Sequence, residues 1–106
     1  MNKHFYSHII EIDTLIIKIE KLDFSDTEKL SLITLAEQTV YHKVMDTVLS
    51  ELEEKDKDVF LKFLAEDEHN KIWDHLKEKV VDIEEKIKNA TSEVIESFHK
   101  DIKKIL

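Results

Sequence analysis

Apolar residues recur along this chain at helical spacing almost from end to end. The longest uninterrupted pattern is residues 30–52, where Leu30, Ile33, Val40, Tyr41, Val44, Val48 and Leu52 share one face. Just before it, Ser25-Asp26-Thr27-Glu28 has the form of a capping box, in which the Ser hydroxyl accepts from a free N–H while Glu28 reaches back. The predicted helix therefore runs from there to about Leu52, roughly 40 Å at the usual rise. A helix of that length needs packing along its whole side, and the other segments are pieces suited to cover it.

Residues 3–21 place Phe5, Ile9, Ile12, Ile16 and Ile19 on a stripe, and Tyr6, Ile10 and Ile17 on a second seam of the same predicted helix. A tight turn is expected near residues 53–56. Beyond it a short third helix carries Val59, Phe60, Phe63 and Leu64 and ends near Ala65. Asp67 suits the cap of a fourth helix with Ile72, Trp73, Leu76 and Val80 on one face. Asp82-Ile83-Glu84-Glu85 opens a last helix to about Ile105, striped by Ile83, Ile87, Ala90, Val94, Phe98, Ile102 and Ile105. Lys100, Lys103 and Lys104 lie at the end where the macrodipole favours cations, and the weak helix formers Asn89, Thr91 and Ser92 mark where a break would fall. No segment alternates long enough for a strand. The expectation is a single domain, residues 1–106, that is all-α: an antiparallel bundle of about five helices, three long and two short forming a hairpin.

Composition narrows the chemistry. At 106 residues the chain is long enough for one core, and it contains no Gly, Pro or Cys. Glycine loops that cradle phosphate, disulfides, thiolate zinc sites and cysteine nucleophiles are excluded with them. All 16 basic residues are Lys, so the bidentate guanidinium fork is absent as well. A formal charge of −8 argues against a nucleic-acid surface. Glu11, Asp13, Lys18 and Glu20 interrupt the Ile-rich start, so neither a leader nor a membrane span is expected there and a cytoplasmic location is the expectation.

From about Leu30 onward the chain resembles a family of short, uncharacterised all-helical proteins from small-genome candidate-phylum bacteria. The residues that carry the likeness are Val48-Leu49 and Leu52, Phe60-Leu61 and Leu64, Ile72 and Leu76, and VVDIEEKI at residues 80–87. Val81-Asp82 stands where that family often has a Pro. The resemblance implies a helical fold and no assigned activity, so it transfers no catalytic residue.

Several polar residues invite a functional reading. Glu66/His69 and Glu96/His99 are Glu-x-x-His pairs of the kind found in di-metal bundles, but Glu96 falls on a polar side and Glu66 near a turn. His4, His8 and Glu11 would share a helical face, a spacing that metal sites use and that surface coincidence also produces. Glu37 is the one carboxylate within the apolar arc of residues 30–52, where an ionised group needs a partner, and His69 sits on the inward line of its own helix. A hydrogen-bonded structural network, partial exposure, and a ligand site at Glu37 and His69 are the competing accounts. No Ser-His-Asp arrangement is indicated, and Trp73 reads as core. The leading expectation is a non-enzymatic interaction protein without metal or cofactor, binding a protein partner or its own copy, with no nucleic acid and no membrane, through the seam of Tyr6, Ile10 and Ile17. The alternative is a metal- or small-ligand-binding bundle using Glu37 and His69.

Overall fold

A computed structural model describes residues 4–10 and 12–105, excluding the side chain of Ile105. Among these residues there are five α-helices and no strand: α1 Asp13–Glu20, α2 Asp26–Glu51, α3 Glu54–Ala65, α4 His69–Lys79 and α5 Ile83–Ile105, preceded by a 3-10 turn at Ser7–Ile9. The all-α bundle is as expected. Of the three helices expected to be long, only α2 and α5 are, and they form the spine of a 47 × 24 × 20 Å molecule.

The spine is antiparallel. Lys86 near the start of α5 pairs with Glu51 at the end of α2 (3.1 Å), while Ala36 and Ile102 meet at the opposite end. There α1 folds back over α2 and α5, burying Leu15 and Ile19 with Leu22, Ala36 and Ile102. Leu30, expected inside, is 65% exposed, because α2 meets its covering elements along Ala36, Val40, Val44 and Val48 instead. At the other end the α3/α4 hairpin buries Phe60, Ile72 and Leu76 against Val44, Val48, Ile83 and Ile87.

Local chemistry sets each boundary. The capping box at α2 forms as predicted: the Glu28 N–H donates to Ser25 Oγ and the Ser25 N–H to Glu28 Oε1, both at 3.2 Å. Helix α2 ends because Leu52 turns extended to bury its side chain, and Glu53, also extended, starts α3 at once. The turn expected across residues 53–56 is therefore only Leu52 and Glu53. Asp67 does not cap α4. It occupies the left-handed region (φ 56°) beyond the end of α3, with the Asp67 N–H bonded to the Leu64 carbonyl and the Glu68 N–H to that of Phe63. That pair of bonds is a Schellman termination, usually built on glycine; in a glycine-free chain aspartate is among the least costly substitutes. Asp82 (φ 56°) plays a similar part before α5, whose first turn it joins through its carbonyl and the Lys86 N–H (3.0 Å). The weak formers in α5 cause no break: Thr91 and Ser92 return their hydroxyls to the carbonyls of Ile87 and Lys88 (2.8 Å each).

The largest departure lies at the N-terminal side. A continuous helix over residues 3–21 is absent; the chain makes a 3-10 turn, extends at Ile10 (φ −117°, ψ 126°), and enters α1 only at Asp13. Two causes combine. The β-branched run around Ile9, Ile10 and Ile12 weakens local helix formation. In addition, the Trp73 indole N–H donates to the Phe5 carbonyl (2.8 Å), the acceptor an α-helix would give to the Ile9 N–H, which bonds to Tyr6 instead. The segment 4–10 thus lies as a strap across the bundle, with the Phe5 ring edge-on to Phe60 and Trp73.

Candidate functional site

The strap borders a partly open cavity of about 410 Å³ against α1 and α2, lined by residues that include Tyr6, Ile10, Ile16, Asp13, Glu37 and Val40. Three elements position its polar groups. Glu37 projects from the middle of α2 and is half-buried; Asp13 stands at the first turn of α1; Tyr6 comes from the strap and is 4% exposed. Burial raises the Tyr6 phenol above its ordinary value, and Tyr41 and Glu37 add to the effect. The hydroxyl therefore stays a neutral donor in any ordinary buffer. Above it the rings of His4 and Tyr6 stack (4.9 Å, 2°), and Tyr41 leans on His4 at 5.5 Å. No hydrogen bond or ion pair among the described residues engages the Tyr6 hydroxyl or the Glu37 carboxylate.

Glu37 and His69 do not meet. His69 lines a wider, more open cleft on the other side of the strap, with Asn70, Trp73, Asp74, Lys77 and Glu84, and its Nε2 lies 2.7 Å from Asp67 Oδ1. His4, Ser7 and His8 border both hollows, so the strap separates the two residues. The expected seam is likewise dispersed by the loss of the helix that would have aligned it. Tyr6 is in the core, Ile10 is half-buried in extended chain, and Ile17, on α1, is 50% exposed. His4 and His8 sit around a 3-10 turn rather than one helix face, and Glu11 lies outside the described residues. Among those residues no three His, Asp or Glu side chains gather closely enough to hold a metal ion, the two Glu-x-x-His pairs included.

A second polar cluster escaped the sequence reading. Asp56, in the first turn of α3, is buried beside His75 (Nε2 3.7 Å from its Oδ1) and Lys79 (Nζ 3.9 Å), and both ring nitrogens of His75 are buried without a hydrogen bond. The signal was present: Asp56 precedes the core residue Phe60 by four positions and His75 follows Ile72 by three, so each shares the inward face of its helix.

No helix among the described residues is long and apolar enough to cross a membrane. Comparison with protein-family models, with curated proteins and with solved structures gives no match.

Proposed function

We propose that this bundle is a non-enzymatic small-ligand-binding protein of the cytoplasm, with its site in the cavity between the strap, α1 and α2. One observation carries the reading: a nearly buried phenol and a half-buried carboxylate border the same concavity without a protein partner. Neither oxygen group is among the fully buried, unpartnered atoms of the described residues, so both are open to a bound molecule, and apolar concavities with a few convergent polar groups are where small molecules bind. Glu37 keeps the role the sequence suggested for it, with Tyr6 in place of His69.

The test is to fill the cavity. Ile16→Trp, at a half-buried wall position, is expected to keep the helical circular dichroism and to abolish small-molecule binding detected by NMR fragment titration or by native mass spectrometry of the purified protein. A fragment screen that moves no amide resonance around the cavity in the unaltered protein refutes the proposal.

A second reading, association with a protein partner or another copy, rests on three large side chains exposed on α1 and the first part of α2: Ile17, Leu30 and Leu35. Light scattering over a concentration series tests it. A dimer that the Leu30→Lys, Leu35→Lys double variant dissociates supports self-association, and a monomer at every concentration removes it.

A further inference from the structure

We infer that the ligand of the strap cavity is an organic ammonium ion carrying an apolar tail; the inference rests on the ligand-binding reading above and names the chemical class. The charge argument comes first. Glu37 and Asp13 border the cavity together with the imidazoles of His4 and His8, and no lysine lines it among the described residues. An anion entering there would lose its water and face two carboxylates, whereas a cation would gain a counter-charge in surroundings drier than bulk solvent.

The rings supply a second, independent reason. His4 and Tyr6, which border the cavity, stack in parallel with Tyr41 tilted on His4, and aromatic side chains of this kind attract cations through their rings. Inorganic ions are disfavoured, because among the described residues no three ligating side chains converge, and beyond Ser7 and His8 the remaining wall is aliphatic: Ile10, Ile12, Ile16 and Val40. That wall suits an alkyl or aryl tail. The ammonium head would sit at Glu37, donating to its carboxylate beside the Tyr6 ring, with the tail along the isoleucines toward α1.

Three probes of one length separate the class from the pocket: hexylammonium, hexanoate and hexanol, titrated into the ¹⁵N-labelled full chain at matched ionic strength and followed by amide shifts. Hexylammonium is expected to move amides of the strap, the start of α1 and the Glu37 turn of α2, and to bind at least about tenfold more tightly than the other two, as a charge-assisted contact implies. Glu37→Gln, checked for helicity, is expected to remove that preference, while Asp13→Asn at the exposed helix start reduces it less. Hexanol or hexanoate binding as tightly as hexylammonium overturns the ammonium assignment and leaves the ligand-binding reading standing. So does a Glu37→Gln protein that is helical and binds hexylammonium unchanged. Failure of all three probes to move any cavity resonance overturns both.

Discussion

Phe5→Ala is expected to release the strap and leave the helices folded. Ordering the seven described residues 4–10 costs roughly 10 kcal/mol at about 1–2 kcal/mol per residue. Burial of the Phe5 and Tyr6 rings contributes about 3 kcal/mol each. The half-buried Ile9 and Ile10 contribute about 1 kcal/mol each. The edge-on ring pairs and the Trp73 bond to the Phe5 carbonyl add about 2 kcal/mol together. Docking of the strap is therefore close to balance, even though Phe5 itself is 3% exposed.

Truncating Phe5 removes about 3–5 kcal/mol, more than that balance can absorb, so the strap should detach while α2 and α5 hold. Trp73 is the one tryptophan of the chain and lies half-buried under the strap, so its fluorescence reports docking directly. The expected result is a red-shifted emission without denaturant, loss of amide protection over residues 4–10, and near-native helical circular dichroism. Since the strap walls the cavity, hexylammonium binding should disappear in the same variant. Unchanged Trp73 emission together with unchanged stability refutes the reasoning. Global unfolding with no intermediate detachment shows instead that strap and bundle are one cooperative unit.

Other expectations concern single, separable features. Asp82→Gly should raise the urea-unfolding free energy by about 0.5–1 kcal/mol and Asp82→Val lower it by about 1–2 kcal/mol, because φ is 56° there; equal midpoints for the two variants would remove the argument. Ser25→Ala breaks the capping box at α2 and should cost about 1 kcal/mol, read from the same curves. Burial, with Lys18 behind it and Glu96 opposing, lowers the His99 imidazole below its ordinary 6.5. Between that lowered folded value and 6.5 the unfolded chain binds more protons, so stability rises with pH across this window and falls on acidification through it. His99→Gln should flatten that part of the pH dependence of thermal unfolding, and an unaltered slope would locate its origin elsewhere.

Most of the bundle was legible because its signals are local. The Ser25 box, the apolar spacing of α2 and α5 and the α3/α4 hairpin depend on residues a few positions apart. Asp67 was assigned to the wrong side of its turn for a physical reason: aspartate serves both as a helix cap and as a residue tolerated at positive φ, and with no glycine in the chain the second use prevailed. Asp56 and His75 passed unnoticed because each looks like an ordinary polar residue until the hairpin places them 3.7 Å apart.

The site itself turns on the one break that periodicity could not show. Spacing alone favours a single helix over residues 3–21, with Tyr6, Ile10 and Ile17 aligned along it. Trp73, 68 positions from Phe5, takes the carbonyl such a helix would use, and Ile10 then extends. With the helix continuous, Tyr6 would belong to an outward seam and the natural function would be contact with another protein. With it broken, Tyr6 turns inward to border the same cavity as Glu37. A long-range hydrogen bond thus accompanies the change from an expected interaction surface to a concavity, and for that reason Glu37 was legible as an anomaly while the place of Tyr6 on the same cavity was not. The dependence can be inverted: Trp73→Phe keeps the apolar ring and loses the donor, so it should weaken the strap by about 1 kcal/mol and reduce hexylammonium affinity several-fold without loss of helix. Amine affinity unchanged in a Trp73→Phe protein would show that the strap is held by its rings alone.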